Sequence, residues 1–167
     1  MSIYLVAGGA RSGKSRKGEE LALTLAGSGK PIFIATAEAI DDEMTTRIKK
    51  HQTDRGEAFS LVEEPKNLSK VLKEIDSNAT VLVDCLTLWL SNNMMGEGTD
   101  SNQLVIDAAR TRNGATIFIS NEVGEGIVPM HPVSREFRDL SGIMNQHFAS
   151  AADKVYFMKF GIAQELK

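Results

Sequence analysis

The chain has one cysteine, four prolines and one tryptophan in 167 residues, and only 6% of it is aromatic. A single thiol, Cys85, excludes a disulfide framework and fits a reducing compartment, so a cytoplasmic location is the expectation. Long hydrophobic runs are missing. Stretches such as Val81–Val83 and Cys85–Leu90 fall far short of a bilayer, so no membrane span is expected. The opening residues also lack the basic, apolar and small-residue order of a leader. Nor is there an excess of positive charge. The 19 Lys+Arg stand against 22 Asp+Glu for a net charge of −3, and the pI is about 5.7. That balance offers no electrostatic footprint for nucleic acid. Internal repeats and low-complexity tracts are absent too. What remains is a globular balance of 42% hydrophobic and 25% charged residues. A chain of this length buries roughly 70% of its unfolded surface, enough for a core without disulfides or a structural metal. One domain spanning residues 1–167 is the expectation.

Five short apolar runs punctuate the chain: Ile3–Ala7, Pro31–Thr36, Thr80–Val83, Ala115–Ser120 and Lys154–Phe160. Nearly continuous apolar character over four to seven residues marks parallel strands buried on both faces. Helical patterns lie between them. Leu68, Val71, Leu72 and Ile75 form an i, i+3, i+4, i+7 stripe. Ser134 is placed to cap a long helix carrying Phe137, Leu140, Met144, Phe148 and Ala151 along one side. Asp41 or Asp42 can cap another through Met44 and Ile48, stopped by Gly56. Alternating strands and helices predict an α/β fold with a mostly parallel sheet covered on both faces. Ser91–Asn102, rich in Asn, Gly, Ser and Asp, reads as a mobile surface loop.

Gly8-Gly9-Ala10-Arg11-Ser12-Gly13-Lys14-Ser15 matches G-x-x-x-x-G-K-[ST]. It follows directly on the first strand and opens a helix containing Leu21 and Leu25, the context a phosphate loop requires. Glycines there let successive backbone N–H groups turn toward phosphate oxygens, and the helix N-terminus adds partial positive charge. Lys14 would neutralise the β- and γ-phosphates, while the Ser15 hydroxyl would ligate Mg²⁺. A metal-binding acid should end a neighbouring strand, and Val81-Leu82-Val83-Asp84 places Asp84 there. The competing reading of Asp84 is a turn cap. No N-K-x-D guanine reader is present, and the D-x-x-G at Asp139–Gly142 falls inside a predicted helix, which argues against a signalling GTPase. If helical, the segment after Asp41 puts Met44, Ile48 and His51 on one side and Arg47, His51 and Arg55 in an i, i+4, i+8 row. His51 is then either a half-buried imidazole extending the apolar stripe or a nucleophile toward an α-phosphorus, with the two guanidiniums holding phosphates and disfavouring its protonation. Spacing alone leaves both readings open.

Several blocks together resemble the bifunctional adenosylcobinamide kinase/adenosylcobinamide-phosphate guanylyltransferase family. They are Gly8–Ser15, Ile34–Glu38 with Asp41–Met44, Arg47-Ile48 with His51, and Val83–Thr87. Further along come Ser120–Pro129 and the spaced set Arg135, Phe137–Leu140, Gly142, Asn145 and Gln146. The blocks cover most of the chain in family order. The resemblance implies a three-layer, RecA-like P-loop fold. It implies phosphorylation of the aminopropanol hydroxyl of adenosylcobinamide by ATP or GTP, then GMP transfer from GTP to adenosylcobinamide phosphate. It further implies a covalent GMP-histidine at His51, the only histidine available there because Lys50 precedes it, and a homo-oligomer, commonly a trimer. Arg47 and Arg55 are candidate nucleotide-phosphate ligands or solvated surface charge. Glu122 would orient Mg²⁺ or accept a proton, or else cap its own loop. His131 reads as a loop residue and His147 as core packing. The segment from Asn92 to Asn113 looks short for the family, and the last seven residues keep only its glycine and its terminal Leu-Lys. The alternatives to the dual enzyme are a monofunctional P-loop kinase and a regulatory nucleotide-binding module.

Overall fold

In the computed structural model, which describes residues 2–38, 56–96 and 98–167, the chain alternates strands with helices. The first part runs β1 (Ile3–Gly8), α1 (Lys14–Ala26), β2 (Ile32–Ala35), a 3-10 turn (Gly56–Ala58), β3 (Ser60–Glu63), α2 (Leu68–Glu74) and β4 (Val81–Asp84). Then follow α3 (Leu86–Met95), α4 (Asn102–Arg110), β5 (Thr116–Asn121), α5 (Pro132–Ala151), β6 (Lys154–Lys159) and β7 (Ile162–Glu165). The seven strands form one sheet in the order β3-β2-β4-β5-β1-β6-β7. Every pairing is parallel except β6 with β7. All five predicted strands are present. The two further strands lie at the sheet edges, where β3 and β7 are largely exposed, so double-sided apolar burial does not mark them.

Two cores flank the sheet. On one face Ile3, Leu5, Val81, Val83 and Phe118 pack against Leu68 and Leu72 of α2, Trp89 of α3, Val105 and Ile106 of α4, and Met144 and Phe148 of α5. On the other, Val6, Leu82, Ile117 and Ile119 pack against Ala22 of α1, with Leu21 beside them. The result is the expected three-layer, RecA-like P-loop arrangement. Gly18 sets the approach of α1 to the sheet, because a Cβ there would stand 2.8 Å from Ile119 Cδ1 and 3.1 Å from Leu82 Cδ1.

Three local expectations are corrected. The segment expected to be a loop from Ser91 is helical through Met95. Its asparagines are docked: Asn92 Nδ2 donates to Thr36 O and Pro65 O, and Asn93 Nδ2 to Lys66 O and Trp89 O. The long helix starts two residues before Ser134, at Pro132 with His131 at the cap, since proline suits a first-turn position that needs no N–H. His147 is exposed, not core, with Nδ1 3.2 Å from Asn102 Nδ2. It sits about 100° round the helix from the buried Phe148. The predicted helix through Met44 and Ile48 lies outside the described residues.

Candidate active site

Strands β1, β2, β4 and β5 run the same way and bring Gly8, Ala35, Asp84 and Asn121 to one sheet edge. The register pairs Gly8 with Asn121, Ala35 with Asp84, and Asp84 with Ile119. Ligands of open α/β sheets bind outside this carboxyl edge. Strand β5 lies between β1 and β4, so the phosphate loop and Asp84 are one strand apart.

The loop leaves β1 at Gly8 and enters α1 at Lys14. Ser12 N–H donates to Gly9 O at 3.3 Å, tightening the turn. Arg11 (φ 55°) and Gly13 (φ 95°) are both left-handed, and such alternation makes an anion-binding concavity of successive N–H groups. Lys14 is 9% exposed. Its ammonium folds back across the loop to donate to Gly9 O at 3.2 Å. That contact uses one of the three donors an ammonium carries. Ser12 Oγ is buried without a described hydrogen-bond partner. Ser15, half-buried, opens the first turn of α1.

Asp84 ends β4 half-buried, and the peptide bond that follows it is cis. Thr36 clamps this corner: its hydroxyl donates to Cys85 O and accepts from Cys85 N–H, both at 2.7 Å. One turn on, Thr87 Oγ1 accepts from Asn121 N–H at 2.7 Å. Ser120 Oγ donates to Asn145 Oδ1 at 2.6 Å. Strand ends β2, β4 and β5 are thereby tied to one another and to α5 by short polar contacts. Sequence reading gave Thr36, Thr87, Ser120 and Asn145 no individual role, and the available signal is a small hydroxyl that closes or follows an apolar run. Burial first, then the Asp84 carboxylate, pushes the Cys85 thiol up to about 11, while Lys14 acts in the opposite direction. Both charges are therefore close enough to act on one sulfur.

Glu122 N–H donates to Gly8 O at 3.0 Å, which pins its backbone to the start of the phosphate loop. Its carboxylate accepts from Gly124 N–H and so caps its own loop. Beyond it the chain exposes Ile127, Val128 and Met130, while Arg135 holds this stretch by donating to Pro129 O and Met130 O. Ser15 and Asp84 offer hard oxygens, the donor type Mg²⁺ prefers. Among the described residues no three of His, Cys, Asp and Glu cluster into a metal cage. Such a pair suits an ion that takes one or two protein ligands and completes its shell with phosphate and water. His51, Arg47 and Arg55 lie outside the described residues.

Comparison with solved structures shows the fold. The flagellar accessory protein FlaH of Methanocaldococcus jannaschii superposes with a TM-score of 0.54 at 12% identity, covering 99% of this chain and 78% of that one. A protein of Pyrococcus horikoshii OT3 gives 0.52 at 13% identity, covering 99% and 86%. Sequence comparison is more specific. The bifunctional adenosylcobalamin biosynthesis protein CobU of Escherichia coli K12 is 35% identical over 183 aligned positions, covering 99% of each chain. The bifunctional protein CobP of Pseudomonas aeruginosa is 38% identical over 169, covering 98% of this chain and 96% of its own. CobU of Salmonella typhimurium is 32% identical over 183. The model of the CobU family, described as cobinamide kinase / cobinamide phosphate guanyltransferase, matches residues 4–166. With a phosphate loop formed at the sheet edge and a match over nearly its whole length, the chain belongs to the cobinamide kinase / cobinamide phosphate guanyltransferase family.

Proposed function

We propose that this chain carries both reactions on one phosphate loop: phosphorylation of the aminopropanol hydroxyl of adenosylcobinamide by ATP or GTP, and GMP transfer from GTP to the phosphorylated product. The observation that carries the reading is the loop itself, with Lys14 folded across it onto Gly9 O, in a chain matched to the family over residues 4–166.

In the first reaction the substrate hydroxyl oxygen attacks the γ-phosphorus, its proton passes to a base or solvent, and the nucleoside diphosphate leaves. Lys14 and the loop amides hold the phosphates in line and neutralise charge as it moves onto the leaving oxygen. In the second, a neutral His51 nitrogen attacks the α-phosphorus of GTP. An N–P bond forms, the bond to the bridging oxygen breaks, and pyrophosphate leaves. A phosphate oxygen of the corrinoid substrate then attacks the same phosphorus, the N–P bond breaks, and the imidazole returns neutral. Arg47 and Arg55 are the proposed partners of the phosphates, bidentate where geometry allows. Ser15 Oγ and the Asp84 carboxylate are the proposed holders of Mg²⁺, which when bound neutralises developing phosphate charge. Glu122 serves the site by positioning, through its backbone bond to Gly8 and its cap on the following loop. A homotrimer and a cytoplasmic setting complete the proposal. No helix among the described residues is long and apolar enough to cross a membrane.

The test uses GTP radiolabelled at the α-phosphate. The protein should acquire an acid-labile, base-stable label, and His51→Ala should not, while still transferring the γ-phosphate to adenosylcobinamide. Equal labelling of the two proteins would remove the covalent step. Failure of the wild type to phosphorylate adenosylcobinamide would remove the kinase activity.

A further inference from the structure

Strand β5 ends in the middle of the carboxyl edge. It pairs with β1 on one side and with β4 on the other. Its last residue, Asn121, therefore stands between the strand that opens the phosphate loop and the strand that ends at Asp84. Neighbouring strands lie about 4.8 Å apart, so β1 and β4 are separated by about 10 Å, with β5 filling the gap. Asn121 is level with Gly8, while Asp84 is level with Ile119. Asn121 thus reaches two residues further toward the ligand side than Asp84 does.

The backbone here is held on three sides. Asn121 N–H donates to Thr87 Oγ1 at 2.7 Å, and Asn145 Nδ2 donates to Asn121 O at 3.3 Å. The next N–H, of Glu122, donates to Gly8 O at 3.0 Å. The half-buried side chain is held more loosely. Its Nδ2 donates to Cys85 Sγ at 3.8 Å, and sulfur is a weak acceptor, while a primary amide carries two N–H donors. That sulfur also locates the amide, because Lys14 and Asp84 both act on the Cys85 titration. The amide lies where the cation of the loop and the acid of β4 meet. Glu122 does not compete for this place, since its carboxylate turns back to Gly124 N–H.

A triphosphate on this loop has its β- and γ-phosphates at Lys14. Its terminal phosphate, held by Lys14 and drawn toward the Asp84 side, lies in the gap between β1 and β4, over the end of β5. We propose that Asn121 is a further substrate-contacting residue, whose Nδ2 donates to a γ-phosphate oxygen and so distinguishes a nucleoside triphosphate from a diphosphate. The inference rests on the triphosphate-binding reading of the loop and deepens it. The backbone clamp is what makes the donor effective, because a group fixed beforehand gives up little freedom on binding. In phosphoryl transfer the amide holds the migrating group in line. In GMP transfer it holds the far end of the pyrophosphate that leaves.

The experiment titrates wild type, Asn121→Ala and Asn121→Asp calorimetrically with the α,β-methylene analogues of GTP and GDP, each with Mg²⁺. The methylene bridge blocks departure of pyrophosphate, so binding is read without turnover. Asn121→Ala keeps all three backbone bonds, and the ligand-free protein should melt within about 2 °C of wild type. It should weaken the GTP analogue about ten- to a hundredfold, the value of one hydrogen bond to an ionised group. The GDP analogue should stay within twofold. In phosphorus NMR of the bound GTP analogue, the γ resonance should move more than the α and β resonances. Asn121→Asp, equal in shape but without the donor, should weaken the GTP analogue at least as much. Unchanged affinity of Asn121→Ala or Asn121→Asp for the GTP analogue overturns the inference. Equal weakening of both analogues overturns it too, by assigning Asn121 to support of the loop alone. Failure of the functional reading looks different: the analogues bind as expected, and cobinamide is not consumed. A wild type that binds neither analogue removes the nucleotide reading and this inference together.

Discussion

Gly8 and Gly9 look alike in the phosphate-loop motif, yet the structure separates them. A Cβ on Gly8 would lie 2.6 Å from Met158 O, 2.7 Å from Ser12 Oγ and 3.0 Å from Met158 Cβ, while one on Gly9 meets nothing within 4 Å. Gly8 pairs with Met158 across the β1–β6 ladder, so the obstacle is backbone. Ordinary contact begins near 3.4 Å, and the carbonyl must therefore recede by about 0.8 Å (3.4 minus 2.6 Å). Overpacking of this kind costs about 1–3 kcal/mol, which at roughly 2–4 °C per kcal/mol lowers the Tm of Gly8→Ala by about 2–12 °C. The same shift displaces the loop on which the phosphates rest. A misplacement approaching 1 Å costs on the order of a hundredfold in turnover. Gly9→Ala is the control. With open space and no left-handed φ, it should melt at or above the wild-type temperature, by about 0.4–1 kcal/mol of unfolded-chain entropy. Thermal melts followed through the buried Trp89, with GTP titrations beside them, read both effects. A Gly8→Ala protein that melts within about 1 °C of wild type and binds GTP within twofold would refute the steric reasoning. So would a Gly9→Ala protein as damaged as Gly8→Ala.

Arg112 is 1% exposed and donates to Leu72 O at 3.0 Å, Asp76 O at 3.0 Å and Ala79 O at 2.7 Å. Arg112→Met strands one buried carbonyl and two part-buried ones and should lower stability by about 3 kcal/mol in urea unfolding, without changing GTP affinity, because these groups precede β4 at the opposite edge; a loss under about 1 kcal/mol would contradict this. Cys85, held at about 11, should resist alkylation at pH 8 in the native protein and react readily in denaturant; rapid native labelling would refute its burial. Its folded value is raised, so its contribution is complete below the unfolded thiol value and disappears as pH climbs from about 9 to 11. Over that window the wild type should lose about 2–3 kcal/mol more than Cys85→Ala does.

The phosphate loop was legible because its signal is local. Strand, glycines, lysine and helix are consecutive, and Ile3–Ala7 running into Gly8–Ser15 is enough to place them. Asp84 was legible for a related reason, since an acid closing an apolar run can stand only at a strand end. Edge strands were not. Ser60–Glu63 and Ile162–Glu165 are exposed on most positions, so nothing in their composition separates them from loop. Asn92 and Asn93 misled for the opposite reason, because their turn-forming amides are spent on carbonyls of Thr36, Pro65, Lys66 and Trp89. Arg112 reads as one more surface charge until three carbonyls distant in sequence converge on it.

The linear chain by itself determined the alternation of strands and helices, the phosphate cradle, and the family, since each depends on neighbouring residues or on ordered blocks. The tertiary structure alone decided that β5 separates β1 from β4, that Thr36 and Thr87 tie the strand ends, that Gly8 and not Gly9 is sterically required, and that the turn between β6 and β7 meets the phosphate loop, where Gly161 N–H donates to Ser12 O. These are contacts between segments many residues apart, set by how the sheet is ordered, and no local pattern encodes which segments will meet.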